Sequence, residues 1–296
     1  MNQIGIMQGR LSPPVAGRLQ AFPWKSWEEE FNYARACGFD TIEWLFEADR
    51  HEQNPIWTDT GLEKIRRQIT DSGVKVRSLC ADYFMVHPFF RVAEEERTQS
   101  KAVLNRLILQ AVNLGIRVIL LPVLEASEVH TEAEKTQLLE SLSEPLALAA
   151  ENGIRLGLET ELPAPEYSDL IERANHPALG VYYDVGNATA KGFDIAADIR
   201  RLSPFLCGVH IKDRRLNGPN VPLGQGDANF SQFFHAISKA RYTGPIVLET
   251  AVGDDPVAVA KAHLKFVRER LALAEGKTPL VRPGMHSTSG IAEIDR

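Results

Sequence analysis

The sequence has no run of about 18 consecutive apolar residues, the length that a membrane-spanning helix requires. Its first residues, MNQIGIMQGR, also lack a basic start followed by a long apolar segment. We therefore expect no membrane span, no secretion signal and a cytoplasmic location. Only three cysteines occur, Cys37, Cys80 and Cys207, and none belongs to a CxxC pair. Isolated cysteines in apolar surroundings favour free thiols in a reducing compartment over a disulfide framework.

Basic tracts are missing too. The formal net charge of the 296 residues is −6, and nucleic-acid binding depends mainly on neutralising phosphates. We therefore expect a small-molecule partner and no nucleic acid. Hydrophobic residues make up 44% and charged residues 24% of the chain, as in an ordinary globular protein. The length allows one large α/β domain or two ordinary ones.

Short apolar runs alternate with longer segments of helical periodicity along the chain. The runs lie near Ile4–Met7, Thr41–Leu45, Lys75–Leu79, Arg117–Leu121, Arg155–Glu159, Gly180–Asp184, Leu206–Ile211 and Ile246–Glu249. Several of the intervening helices should end at a glycine directly before a strand, as in ARACGFDTIEW, DSGVKV, NLGIRV and ENGIRL. Pro145 should kink or break the helix over 131–151.

This alternation predicts a single-domain (β/α)8 TIM barrel over residues 1–274. The rival is an open doubly wound sheet, but MQGRLSPP after the first strand is no glycine-rich dinucleotide loop. Residues 275–296 lie outside the repeating pattern and are rich in Gly, Pro and Ser. We expect them to form a C-terminal arm.

Four successive strands end in a side chain that can bind a metal ion. They are Glu159 in GLETEL, Asp184 in VYYDVGN, His210 in VHI and Glu249 in IVLET. Each acid alone is as well explained by a helix cap, and the histidine by a hydrogen-bonded core position. In a barrel, however, the carboxyl ends of the strands meet at one face, and buried carboxylates that converge need a cation.

We therefore predict one divalent metal ion held by these four residues. Three carboxylates and one imidazole suit Mn²⁺, Mg²⁺ or Co²⁺ and tolerate Zn²⁺. The charged run Lys212, Arg214 and Arg215 directly after the histidine would balance the negative charge, or would form a solvated surface.

The same stretches resemble those of the xylose isomerase-like barrel superfamily, and within it the sugar (phosphate) isomerase/epimerase branch. The matching pieces are LGLE, DVGN, VHIKD, PLGQGD over 222–227 and VLET, with IEW at Glu43 and the strand SLC fitting earlier positions. The resemblance extends from about Ile4 to Leu273.

The resemblance implies a metal-dependent enzyme acting on a sugar or sugar phosphate, in which Glu159 and Glu249 are acid and base on opposite sides of the substrate. Proton transfer next to a ketose carbonyl through a metal-stabilised enediolate would give an epimer with two opposed bases, or an aldose–ketose isomer with one. A homodimer or homotetramer is also implied. The open alternatives are a dehydratase of an inosose or dehydroshikimate type, an apurinic-site endonuclease and a non-catalytic binding protein.

Further residues near strand ends are candidates for substrate binding. Asn187 stands where relatives often have a substrate-contacting histidine, and Glu161 is a second candidate for the role of Glu159. The remaining candidates are Arg10, His87, Arg214 and Arg215.

Overall fold

The computed structural model describes residues 2–18 and 20–276, and these form a closed barrel of eight parallel strands. The barrel strands are β1 (Ile4–Met7), β2 (Thr41–Leu45), β3 (Lys75–Cys80), β4 (Val118–Val123), β5 (Arg155–Thr160), β6 (Leu179–Asp184), β7 (Leu206–Ile211) and β10 (Ile246–Leu248). Each strand pairs with its neighbours in the chain order, and β1 closes the barrel against β10. The predicted (β/α)8 barrel is confirmed.

Two very short strands, β8 (Asp213–Arg214) and β9 (Asn220–Val221), form an antiparallel hairpin after β7. The helices are α1 (Glu29–Cys37), α2 (Asp59–Ser72), α3 (Tyr83–Val86), α4 (Glu94–Leu114), α5 (Glu132–Glu151), α6 (Ala164–Ala174), α7 (Val185–Ala190), α8 (Ile195–Leu202), α9 (Phe230–Lys239) and α10 (Pro256–Ala274). Short 3-10 turns lie at His51–Gln53, Pro55–Trp57 and Glu125–Ser127. The outer ring closes where α10 packs on α1.

The local sequence explains these elements. Strands β4, β6 and β7 are buried along their whole length, as expected for a parallel sheet covered by helices on one face and by the barrel interior on the other. Helices α1 and α4 end at Gly38 and Gly115, which take φ values of 93° and 74° in the left-handed region that glycine enters without steric cost. The predicted glycine stops are confirmed at both junctions.

Helix α5 runs through Pro145 without a break. Pro145 is buried. The predicted break at Pro145 is therefore wrong, and the alternative, a kink at this residue, stays a prediction. Helix α10 ends at Ala274, and the predicted C-terminal arm lies outside the described residues from position 277 onward. Within the described ranges, no helix combines the length and the apolar character that a membrane crossing requires.

A buried carboxylate fixes the loop after β7. Asp213 is 1% exposed and accepts hydrogen bonds from the backbone N–H groups of Gly224, Gly226 and Ala228 at 2.8, 2.8 and 3.2 Å. A Cβ atom at Gly226 would stand 2.0 Å from a carboxylate oxygen of Asp213, so this close approach requires glycine. The motif PLGQGD therefore forms a folded-back loop at the mouth of the barrel.

A second buried carboxylate, Glu30 of α1, fixes the loop after β1. It accepts hydrogen bonds from the backbone N–H of Gly9 at 2.9 Å and of Leu11 at 3.3 Å, and from the hydroxyl of Ser12. Burial raises the pKa of Glu30 to about 7, although these hydrogen bonds oppose the rise. The loop that Glu30 holds carries Arg10.

The raised pKa makes the stability of the fold depend on pH. Glu30 binds a proton more tightly in the folded chain than in the unfolded chain, so the free energy of unfolding should fall as pH rises from about 4.3 to about 7 and then level off. The full effect is about 4 kcal/mol. We expect Glu30→Gln to remove this component in urea titrations at pH 5 and pH 8. The exposed neighbour Glu29 supplies the control, and an equal pH dependence in Glu29→Gln and Glu30→Gln would contradict the assignment.

Candidate metal centre at the mouth of the barrel

Four side chains from neighbouring strands meet at the carboxyl end of the barrel. Glu159 lies on β5, Asp184 ends β6, His210 lies on β7 and Glu249 directly follows β10. They are 4%, 5%, 1% and 8% exposed. Because Asp184 pairs in register with His210, the two side chains lie side by side on the inner face of the sheet.

The arrangement is compact. One ligand atom from each of Glu159, Asp184 and His210 lies within 4.8 Å of the other two. Glu249 borders this trio, with Oε2 at 3.1 Å from Nδ1 of His210, and Oδ2 of Asp184 lies 3.8 Å from the same nitrogen. The structure thus brings together all four residues predicted as metal ligands.

Two buried polar atoms in this group make charged contacts but no hydrogen bond. Oδ2 of Asp184 lies 2.9 Å from the Lys212 ammonium and Nδ1 of His210 lies 3.1 Å from Oε2 of Glu249, and neither atom has a hydrogen-bond partner, which is costly for polar atoms away from water. The other oxygen of Asp184 caps α7 by accepting the N–H of Asn187 at 2.7 Å. Carboxylate oxygens beside an imidazole nitrogen are a donor set for a divalent ion. The trio could hold such an ion.

Positive side chains already stand beside these carboxylates. The ammonium of Lys212 lies 2.9 Å from Oδ2 of Asp184 and 3.0 Å from Oε2 of Glu249, and Lys212 is buried. Arg10, 2% exposed, reaches 3.5 Å from Oε1 of Glu249. Buried carboxylates need such neighbouring cations because the free energy lost on leaving water is not recovered without them. Of the predicted basic run, Lys212 is the member that enters the group.

The two glutamates sit in opposite electrostatic surroundings. Burial, reinforced by the neighbouring Asp184, raises the pKa of Glu159 well above its ordinary value. Burial also acts to raise the pKa of Glu249, but Lys212 and then His210 outweigh it and hold that pKa well below the ordinary value. Glu159 therefore holds a proton more readily than Glu249 does, although both carboxyl groups are buried.

The candidate substrate-binding residues fall into two sets. Asn187 donates to Oε1 of Glu159 at 2.9 Å, and Arg214 donates to Oδ1 of Asn187 at 3.0 Å, so both extend the group outward, as Arg10 does. Glu161 instead forms an ion pair with Lys191 at 2.6 Å.

The other two candidates lie outside the group. The exposed His87 stacks on Tyr83 with ring centroids 4.5 Å apart. Arg215 is exposed and pairs with Asp227 at 3.1 Å. Their roles in substrate binding stay predictions.

Sequence reasoning gave no role to two residues that complete the group. Oε1 of Glu43, on β2, lies 2.5 Å from Nε2 of His210. The hydroxyl of Tyr182, on β6, donates to Oε2 of Glu43 at 2.6 Å. A signal existed in the sequence, since an acid stands inside the apolar strand TIEWL and Tyr182 shares its strand face with Asp184.

A closed parallel barrel with a buried carboxylate–imidazole group at its mouth defines a (β/α)8-barrel protein with a candidate metal centre. The family model described as xylose isomerase-like TIM barrel matches residues 31–270. The chain therefore belongs to this family, as the sequence motifs indicated.

Known proteins agree with this placement. The L-ribulose-5-phosphate 3-epimerase UlaE of Escherichia coli strain K12 is 27% identical over 261 residues, which cover 84% of this chain and 91% of the relative. A solved L-ribulose 3-epimerase matches with a TM-score of 0.74 at 19% identity, over 93% and 96% of the two chains. A xylose isomerase-like protein from Mycobacterium smegmatis, solved in complex with magnesium, matches with a TM-score of 0.69 at 20% identity, over 91% and 96%. These structural likenesses concern the fold.

The position of Lys212 leads to a prediction about metal binding. In Lys212→Met, Asp184 and Glu249 lose their shared cation, so the variant should melt at a lower temperature without metal. A dication would then meet less repulsion and bind more tightly, by about tenfold. We expect Mn²⁺ to raise the melting temperature more in Lys212→Met than in the wild type.

Lys191→Met is the matched control, because Lys191 pairs with Glu161 outside the group. Its response to Mn²⁺ should equal that of the wild type. The interpretation of Lys212 as a competing cation is wrong if Lys212→Met gains no more from Mn²⁺ than Lys191→Met does.

Proposed function

We infer that this protein is a divalent-metal-dependent 3-epimerase of a ketose or ketose phosphate. The observation that carries the proposal is that two buried glutamates, Glu159 on β5 and Glu249 directly after β10, flank the strands that carry Asp184 and His210. The name of the Escherichia coli relative supports the same reaction on L-ribulose 5-phosphate. That sugar phosphate is therefore the first substrate to test.

We assign the metal to Glu159, Asp184, His210 and Glu249. When bound, a divalent ion would polarise the ketose carbonyl and acidify the neighbouring C–H bond. Mn²⁺, Mg²⁺ or Co²⁺ suits the donor set best, and Zn²⁺ is tolerated. Oδ2 of Asp184 and Nδ1 of His210, which are buried and make no hydrogen bond, support this assignment.

The glutamates carry the proton transfer in this proposal. One carboxylate takes the proton from the carbon next to the carbonyl, and the other returns a proton to the opposite face, which inverts that carbon. Asn187 orients Glu159 by its hydrogen bond at 2.9 Å. Arg10 and Lys212 hold Glu249 in place at 3.5 and 3.0 Å. We place one glutamate on each side of the substrate, because β5 and β10 flank β6 and β7 in the barrel.

Substrate binding is assigned to the residues around this group. Arg214 is half-buried and donates hydrogen bonds to neutral oxygens of Asn187 and Gly218. Its guanidinium charge thus suits the oxygens of a sugar or of a phosphate. Asn187 and Arg10 lie close enough to the glutamates to contact the same substrate.

Proton exchange with solvent tests the proposal. Protein reconstituted with Mn²⁺ should catalyse the incorporation of deuterium from D₂O at C3 of L-ribulose 5-phosphate and of related ketoses. Mass spectrometry and NMR would measure this incorporation. Glu159→Gln and Glu249→Gln should each lower the rate of epimerisation by about 10²–10⁴-fold, the contribution of proton transfer by a positioned side chain. Removing the metal with a chelator should abolish the reaction.

Glu161→Gln is the matched control, because Glu161 stands two residues from Glu159 and pairs with Lys191. Its exchange rate should stay close to that of the wild type. Loss of exchange in Glu161→Gln but not in Glu159→Gln would transfer the role to Glu161. Exchange accompanied by loss of water from the substrate would identify a dehydratase, and exchange yielding an aldose would identify an aldose–ketose isomerase.

A further inference from the structure

Glu43 is a buried acid that the proposed proton transfer does not use. It is 0% exposed, and its side chain hydrogen-bonds with the hydroxyl of Tyr182 and the Nε2 nitrogen of His210. Among the described residues, no lysine or arginine forms an ion pair with it. A fully buried carboxylate with so few partners destabilises the fold. We therefore expect Glu43 to have a functional role.

The contact with His210 determines which ring nitrogen faces the candidate metal. A carboxylate accepts hydrogen bonds, so the hydrogen between Glu43 and His210 belongs to Nε2 of the ring. An imidazole that ligates a metal is neutral and has one N–H, so in that state Nδ1 would keep its lone pair. Nδ1 is the atom that faces the candidate metal centre, 3.8 Å from Oδ2 of Asp184 and 3.1 Å from Oε2 of Glu249.

Tyr182 holds Glu43 from the opposite side of the barrel. Strands β6 and β2 stand four positions apart in the closed ring of eight, so the Tyr182 side chain extends across the barrel interior. Glycine at position 208 makes room for it, because a Cβ atom there would stand 2.2 Å from Cε2 of Tyr182. The tyrosine ring also meets the ring of His210 edge-on, with centroids 4.7 Å apart.

We propose that Glu43 and Tyr182 are positioning residues that fix the orientation and tautomer of His210, so that Nδ1 is presented to the divalent metal. This inference rests on the proposed function, since it concerns the same metal centre. Hydrogen bonds from a ligating histidine to a carboxylate behind it commonly set ring orientation and donor strength.

Metal affinity tests the proposal directly. Mn²⁺ binding, measured by electron paramagnetic resonance on the full chain, should weaken about 10- to 100-fold in Glu43→Gln, the range for such supporting residues. A glutamine amide can donate as well as accept, so it no longer imposes one tautomer on His210. Tyr182→Phe leaves the carboxylate but removes one of its two hydrogen bonds, and should show a smaller loss in the same direction.

Tyr183→Phe is the matched control. Tyr183 is the next residue, is also buried, and donates its hydroxyl to Asp198 at 2.9 Å on the other face of β6. Loss of the Tyr183 hydroxyl should leave Mn²⁺ affinity unchanged. Melting temperatures measured without metal show whether Glu43→Gln is folded. A folded Glu43→Gln with weakened Mn²⁺ binding supports the proposal.

A second readout is the ¹⁵N spectrum of His210 in Mg²⁺-saturated protein, with its signals assigned by their absence from His210→Gln. We expect the hydrogen on Nε2 and none on Nδ1. Wild-type Mn²⁺ affinity in folded Glu43→Gln, or a hydrogen on Nδ1 with a bare Nε2, overturns the proposal. If either result is found but the wild type still epimerises the sugar, only the positioning proposal fails. If the metal affinities and the tautomer are as expected but no deuterium is exchanged, only the proposed function fails.

Discussion

Buried negative charge is the constraint on which the mouth of this barrel depends. Closing the sheet brings Glu43, Glu159, Asp184 and Glu249 to its interior and carboxyl end, each less than one-tenth exposed. Carboxylates taken out of water destabilise a fold unless cations or N–H groups replace the lost hydration. His210 and the ammonium of Lys212 supply part of that replacement, and both are central to the cluster rather than peripheral to it.

The barrel and the strand-end residues were predictable because they depend on local patterns. A buried parallel strand needs a short apolar run, and glycine ends a helix without strain, as at Gly38. Once eight such units close, the ends of β5, β6, β7 and β10 must converge. Proximity of Glu159, Asp184, His210 and Glu249 then follows from the chain order alone. Pro145 is the exception, where the helix continued through a residue that usually interrupts one.

Contacts across the barrel were not predictable in the same way. Glu43 and Tyr182 are 139 positions apart, and Glu43 and His210 are 167 apart. Their meeting depends on the barrel diameter and on the missing side chain at Gly208, which no local pattern reports. The charged run after His210 shows a related difficulty. Lys212 turns inward and Arg215 outward, and a stretch of similar charges does not distinguish the two before the loop is placed.

Buried acids also fix the conformation of the loops at the mouth of the barrel. Glu30 and Asp213 are buried acids whose oxygens accept backbone N–H groups, so each exchanges hydration for a fixed loop conformation. The loop held by Glu30 presents Arg10 to Glu249, and the loop held by Asp213 begins beside Lys212 and Arg214. The basic groups around the candidate metal centre are therefore positioned by acids that stand outside it. A charge that is already held in place loses little conformational freedom when a ligand binds. This arrangement therefore favours the binding of a small anionic or polyhydroxylated molecule.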